Sequence, residues 1–204
     1  MASASALSAA TLVSGTLADY FALEPAGGTI GTTQFSNFMI EPLQTGAEAL
    51  DPEFIIVNPI NTPGLPTLQF VIEDSAIAGD FFNLRFSYTV SDIALAGAFL
   101  GIDDTSATFN GGVTAITDLE ILGQPSENLL TFRTAEDFEL SEQLNFPSTT
   151  SLAITMDITL DGGGDGSATL GTVTSQFAVI PEPMTTSLLA PVVGLLALFR
   201  RRHS

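Results

Sequence analysis

Two runs of strictly alternating residues constrain the fold of this chain more than any other feature. In residues 82–90 every second side chain is apolar or aromatic, namely Phe82, Leu84, Phe86, Tyr88 and Val90. Residues 153–160 repeat the pattern with Ile154, Met156, Ile158 and Leu160. Successive residues of a strand point to opposite sides, so this period of two places the apolar side chains on one face. Both runs are predicted to be strands with one buried face.

Shorter runs of the same character recur along the chain. They lie at residues 35–40, 53–57, 67–72, 92–100, 113–122, 128–133 and 169–179. Turn-forming residues separate them, including many of the 18 glycines and 11 prolines. No long stretch has the period of an amphipathic helix. We predict an all-β domain over residues 19–179, an antiparallel two-sheet sandwich of jelly-roll or immunoglobulin-like type.

The charge balance excludes several classes of partner. The chain has 23 acidic residues and five basic residues, all arginines. Without Glu182 and the three arginines of the C-terminal tail, 22 acidic and two basic residues remain, a net charge of about −20. Such a surface repels nucleic acid and attracts divalent cations or basic partners. We predict no nucleic-acid partner, and the acidity serves either solubility alone or cation bridging.

The C-terminal segment, residues 180–204, has three parts in a fixed order. Pro181, Glu182 and Pro183 come first, an uncharged run from 184 to 199 follows, and Arg200, Arg201 and Arg202 come last. As a helix the run spans roughly 24 Å, slightly less than a ~30 Å hydrocarbon core. We predict one C-terminal transmembrane helix with the arginines on the cytoplasmic side. Its large apolar residues are Met184, Leu188, Leu189, Val192, Val193, Leu195, Leu196, Leu198 and Phe199.

This order of parts resembles the PEP-CTERM sorting signal of Gram-negative bacteria, also called an ice-binding protein C-terminal domain, a name that implies no binding of ice. The resemblance implies that an exosortase, a membrane enzyme, recognises Pro181-Glu182-Pro183 and cuts near it. It also implies export, a transient anchor in the inner membrane, and delivery to the cell surface or extracellular matrix. The alternative is a permanent membrane anchor with a fortuitous Pro-Glu-Pro.

The body is similar to the small β-sandwich domains that often precede such signals. The similarity lies in the order of an Ile55-x-Val57-x-Pro59 strand, Gly64-Leu65, Phe70, and the alternation that contains Phe86 and Tyr88. It implies a fold and no chemistry.

Residues 1–18 leave two interpretations open. They are small and mildly apolar, and Thr16-Leu17-Ala18 fits a cleavage site before Asp19. They also lack a basic residue near the start, and serines and threonines dilute the apolar core. The segment is either a signal peptide or a chain start that lies downstream of the true one.

Few residues are available for catalysis. The single histidine, His203, lies in the tail, and the chain has no cysteine. A histidine general base, a thiolate metal site and a cysteine nucleophile are therefore excluded from the body. We predict a protein that is not an enzyme and has no cofactor.

One segment suggests a metal. Calcium prefers several oxygen ligands in a tight turn, which Asp161 and Asp165 in the sequence Asp-Gly-Gly-Gly-Asp-Gly offer. The alternative is a plain glycine-rich hairpin turn. Two further acidic pairs, Asp103 with Asp104 and Asp51 with Glu53, are interpreted as solvated turns.

Two functions are compatible with these features. The first is a non-catalytic surface or matrix protein that is sorted by an exosortase and associates with exopolysaccharide. The alternative is a carbohydrate-binding module or glycan-active enzyme on the same sandwich. The absence of tryptophan, histidine and lysine from the body favours the first.

Overall fold

Strands form nearly all the regular structure in residues 10–121 and 124–180, which are the residues that the computed structural model describes. They are β1 (Ala10–Thr11), β2 (Gly15–Thr16), β3 (Gly28–Ile30), β4 (Thr33–Ile40), β5 (Glu48–Ala49), β6 (Ile56–Thr62), β7 (Leu65–Ile77), β8 (Phe81–Asp103), β9 (Ser106–Thr108), β10 (Gly112–Ile121), β11 (Glu127–Thr134), β12 (Phe138–Glu139), β13 (Ser141–Asp161) and β14 (Ser167–Val179). One short helix, α1 (Leu17–Phe21), follows β2. The all-β prediction is confirmed.

The two alternating runs lie in the two longest strands, β8 and β13, which pair antiparallel. Residues 81–91 of β8 pair with residues 151–161 of β13, with Phe86 opposite Met156. Both side chains are fully buried, as the period of two predicts. The pairing then shifts register and continues between residues 95–101 and 141–149.

The sheet curls into two layers because β8 changes partners halfway. One edge of β8 follows β13, while the other edge pairs first with β4 and then, from Leu95 onward, with β14. The back sheet contains β1, β3, β4, β5, β10, β11, β12 and the paired halves of β8 and β13 at residues 81–91 and 151–161. The front sheet contains β2, β6, β7, β9, β14 and the other paired halves, at residues 95–101 and 141–149. This arrangement is consistent with the predicted sandwich, and the two layers are continuous through β8 and β13.

Aromatic rings from both layers meet in the core. The ring centroids of Phe70 in the front sheet and Phe86 in the back sheet lie 5.1 Å apart. Phe177 in the front sheet lies 6.0 Å from Phe35 and 6.5 Å from Tyr88. Aromatic pairs of this kind contribute ~0.5–1.5 kcal/mol beyond the burial of their area. The cluster therefore holds the two layers together.

A buried hydrogen bond also crosses between the layers. The hydroxyl groups of Tyr88 in β8 and Ser175 in β14 lie 2.8 Å apart. Burial raises the pKa of Tyr88 well above its ordinary value, although the bond to Ser175 lowers it. The phenol therefore stays protonated at neutral pH and keeps a hydrogen to share with the serine.

The first described residues are part of the body. Leu12 and Leu17 are buried, and β1 and β2 pair with β3 and β6. The side chain of Thr16 accepts a hydrogen bond from the Asp19 N–H and begins α1. The phenol of Tyr20 donates to the carbonyl oxygen of Val13, and burial raises its pKa to about 12. The predicted boundary between residues 18 and 19 therefore falls inside α1, and cleavage there would remove buried side chains.

The predicted sorting signal lies outside the described residues. This applies to Pro181, Glu182 and Pro183, to the predicted membrane helix at 184–199, and to the arginines at 200–202. Between residues 10 and 180, leaving aside 122 and 123, no helix is long and apolar enough to cross a membrane.

The bond between Tyr88 and Ser175 gives a test of how the layers are joined. Tyr88→Phe and Ser175→Ala should each lower the free energy of unfolding by ~1–2 kcal/mol, because each leaves a buried hydroxyl without its partner. The double variant should lose less than the sum of the two losses, since it leaves no such hydroxyl. Urea unfolding followed by circular dichroism gives the three values. Strictly additive losses would show that the two hydroxyls do not interact in solution.

Candidate functional site

The outer face of the front sheet is built from five strands in register. Leu68 and Phe70 of β7 are fully buried, so Thr67 and Gln69 lie on the outer side of the sheet, although Thr67 itself is only 3% exposed. Strand pairing aligns one row across the sheet, Gln143, Phe99, Gln176, Thr67 and Ile60. The neighbouring row is Ser141, Gly101, Thr174, Gln69 and Asn58. We call these ten residues the uncharged face.

The uncharged face differs from the opposite side of the molecule. None of its residues is ionisable, although the chain carries 23 acidic residues. The same alignment on the outer face of the back sheet brings together Arg85, Asp118, Glu120 and Asp157. The two outer surfaces therefore offer different chemistry, since charges act on ligands through the field around them.

Phe99 is the one aromatic residue of the uncharged face, and Gly101 makes room for it. A Cβ at Gly101 would lie 2.9 Å from the Phe99 ring, so the half-buried ring rests over this glycine. A Cβ at Gly97 would lie 3.2 Å from a backbone oxygen of β13. A shallow pocket of about 50 Å³ beside the ring is lined by Gln143 and Gln176, among others. The result is an aromatic surface with an amide on each side.

A short chain of hydrogen bonds orients one of these amides. The Nε2 of Gln176 donates to Oγ1 of Thr67 over 3.0 Å. That hydroxyl donates in turn to the carbonyl oxygen of Leu65, also over 3.0 Å. The carbonyl end of the Gln176 amide is thereby held as an acceptor on the face.

The side chains of the uncharged face suit one type of ligand. Amides and hydroxyls both donate and accept hydrogen bonds without carrying charge. An aromatic ring adds a flat apolar surface. Such a set can bind a neutral molecule with many hydroxyl groups, and it offers nothing to pair with an ion.

Two larger pockets lie elsewhere on the body. One, of about 470 Å³, lies between the β3–β4 and β6–β7 turns and is lined by Gly31, Asn61 and Pro63, among others. The other, of about 310 Å³, lies beside α1 and contains Asp19, whose carboxylate accepts a hydrogen bond from the Thr16 N–H. Neither is lined by the two carboxylates that hydrolysis of a glycosidic bond ordinarily requires.

The loop at residues 161–166 uses its carboxylates to hold a turn. Asp161 accepts a hydrogen bond of 2.7 Å from the Gly163 N–H. The amide of Asn110, suitably oriented, donates to Asp165 over 2.7 Å and accepts from the Gly164 N–H over 3.1 Å. These bonds fit the alternative of a glycine-rich hairpin turn.

Calcium at Asp161 and Asp165 remains a prediction. In residues 10–121 and 124–180 no group of three histidine, cysteine, aspartate or glutamate side chains is close enough to hold a metal ion. The other acidic pairs also make local bonds, because Asp51 accepts from the Glu53 N–H and Asp103 from the Asp104 N–H.

Sequence reasoning missed the uncharged face. Threonine, glutamine and asparagine are common on the exposed side of any strand. The register that aligns five strands depends on how they pair, and the sequence of a single segment does not reveal it. The available signal was the lack of charge at alternate positions around 58–60, 67–69, 141–143 and 174–176.

Comparisons with known proteins do not assign a family. No family model and no curated protein matches the sequence. Among solved structures, the carbohydrate-binding module TmCBM61 in complex with β-1,4-galactotriose is 13% identical, with a TM-score of 0.34 over 76% of this chain and 92% of that chain. TmCBM27, a carbohydrate-binding module that recognises mannan, is 11% identical, with a TM-score of 0.34 over 83% and 97%. The CBM22-1 xylan-binding domain of Paenibacillus barcinonensis Xyn10C is 9% identical, with a TM-score of 0.25 over 86% and 99%. Similarities this low identify neither a family nor a site.

The glycine turn makes a testable prediction about stability. A Cβ at Gly162 would lie 1.8 Å from the carbonyl oxygen of Ile77, so Gly162→Ala should destabilise the fold by ~1–3 kcal/mol through overpacking. Gly164→Ala in the same loop is the control, because its Cβ would lie 3.5 Å from its nearest neighbour. Urea unfolding of both variants provides the measurement. Equal losses would mean that the turn does not pack against β7 as described.

Proposed function

We propose that this protein is an exported, non-catalytic glycan-binding protein whose uncharged face contacts a polysaccharide. One observation carries the proposal. The outer face of the front sheet presents amides, hydroxyls and Phe99 without any charge, in a body whose net charge is about −20.

The chemistry of sugars matches this face. A sugar ring presents hydroxyl groups that both donate and accept hydrogen bonds. Amide side chains can pair with them in both ways, since each has an NH2 donor and a carbonyl acceptor. Gln143 and Gln176 flank Phe99 in one row, so a ring placed on the phenylalanine has an amide within reach on either side. Gly101 has no side chain to displace the Phe99 ring, so the ring can rest on the sheet beside the two amides.

A non-catalytic role fits the residues that are present. Hydrolysis of a glycosidic bond ordinarily needs an acid and a second carboxylate on opposite sides of the bond. The ten residues of the uncharged face include no carboxylate. The face therefore supports binding and not bond cleavage.

Replacing Phe99 tests the proposal. Phe99→Ala should weaken binding to a soluble galactan, mannan or β-glucan about tenfold, which corresponds to ~1.4 kcal/mol of binding free energy. The reason is the loss of the aromatic surface over Gly101. Affinity gel electrophoresis of the full chain identifies the polysaccharide that binds, and isothermal titration calorimetry measures the affinity.

Phe109→Ala is the matched control, because Phe109 is 77% exposed and lies outside the uncharged face. It should bind like the unmodified protein. Equal affinities for all three proteins would place the binding site elsewhere, and a lack of binding to every polysaccharide would refute the function.

The C-terminal segment supports a second proposal, which concerns sorting. The order of Pro181-Glu182-Pro183, an uncharged apolar run and Arg200–Arg202 favours recognition by an exosortase at the inner membrane. The arginines resist translocation, each costing ~2.5–3.5 kcal/mol at the bilayer centre. The chain would then stop with the motif outside, and its two prolines would keep it extended for an enzyme. The body would reach the cell surface or matrix, where exopolysaccharide is available.

Mass spectrometry of the exported protein tests the sorting proposal. In a host with an exosortase, the mature protein should end near Pro181. Glu182→Ala should leave membrane insertion intact and slow cleavage, whereas replacing the three arginines with serine should loosen retention and orientation. Intact residues 200–204 on most surface molecules would identify the segment as a permanent anchor.

A further inference from the structure

We propose that the ligand of the uncharged face is a neutral polysaccharide, and that the protein discriminates against acidic ones. This inference rests on the proposed glycan-binding function and adds a class of ligand to it.

Neither described arginine is placed to pair with an acidic sugar on the uncharged face. Arg85 is aligned with Asp157 on the outer face of the back sheet. The guanidinium carbon of Arg133 lies 4.9 Å from the ring centroid of Phe138, where β11 meets β12. The chain has no lysine. A carboxylated sugar would therefore lose water at this face without gaining an ion pair.

Carboxylates also border one end of the uncharged face. The next row of the sheet begins with Asp103, which is aligned with Thr172 and Val71. Asp104 follows in the chain, and Glu73 lies at the bulge where β7 leaves its register with β14. All three acidic residues are exposed. Their field extends over the face at low salt, since the Debye length is ~30 Å at 0.01 M.

The placement of these carboxylates also indicates how a chain lies. Across the strands, the uncharged face covers five neighbours spaced ~4.8 Å apart, or about 19 Å. Along the strands, a ligand meets Asp103 directly after the Gly101 row. A glycan that crosses the strands thus stays on uncharged residues over its length, whereas one that runs along them past the Gly101 row reaches Asp103.

Matched ligands test the proposal with the full chain. A soluble galactan, mannan or β-glucan that binds is compared with the same polysaccharide oxidised at C6 to the uronate. At ~10 mM salt the neutral form should bind at least about tenfold tighter, and the difference should shrink at ~0.5 M salt because charges are then screened. Isothermal titration calorimetry gives both affinities.

Two variants of equal net charge locate the effect. Gln69→Lys adds a cation to the uncharged face and should narrow the difference between the two ligands. Thr155→Lys adds the same charge to the outer face of the back sheet, where Thr155 is aligned with Asp118 and Ser87, and should leave the difference unchanged.

The outcomes separate the two proposals. Equal or tighter binding of the oxidised ligand, still dependent on Phe99, would overturn the preference for neutral chains and leave glycan binding in place. Equal effects of the two lysine variants would overturn the assignment to this face. If no galactan, mannan or β-glucan binds in the initial screen, the glycan-binding function itself is refuted.

Discussion

The pairing of β8 with β13 is the interaction on which the rest of the structure depends. Each strand contributes one half to the back sheet and the other half to the front sheet. The same two strands therefore join the layers, and their ladder of backbone hydrogen bonds holds β13 beside β8 in both, where an unpaired buried backbone group would be costly. The aromatic cluster fills the space that the curl encloses, and the bond between Tyr88 and Ser175 ties one layer to the other. Local alternation, sheet pairing and core packing thus support the same arrangement.

The uncharged face inherits its position from this core. In β8, Ala98 and Leu100 are buried while Phe99 between them faces outward. In β14, Ser175 is fixed in the core by Tyr88, so its neighbours Thr174 and Gln176 must occupy the outer rows. A one-residue slip would reverse every side chain, which is why the packed interior keeps the face in a single arrangement. A surface held this way loses little conformational entropy when a ligand binds.

Strands with a strong period of two could be predicted from the sequence, and weaker ones could not. The expected strands at 67–72, 82–90, 113–122, 128–133 and 169–179 all correspond to strands of the structure. Residues 92–100, expected as a separate strand, continue β8, and β6 begins at Ile56 because residues 51–54 form a turn. Residues 141–152 were not predicted, since Pro147 and several serines and threonines there resemble a loop while Leu144 and Phe146 are only partly buried. The binding face depended on registers among five strands, information that local periodicity does not contain.

The acidity of the body and the neutrality of one face are physically related. The uncharged face includes Ile60, 41% exposed, with Ile56, 39% exposed, in the next row, and the first half of β13 forms an edge of the front sheet. Exposed apolar side chains and open strand edges favour association between copies of a chain. Two bodies that each have a net charge of about −20 repel one another, and this repulsion opposes association even where the contacting surfaces are neutral. A neutral glycan experiences no such repulsion, so the same charge that keeps copies apart leaves the face open to a ligand without charge.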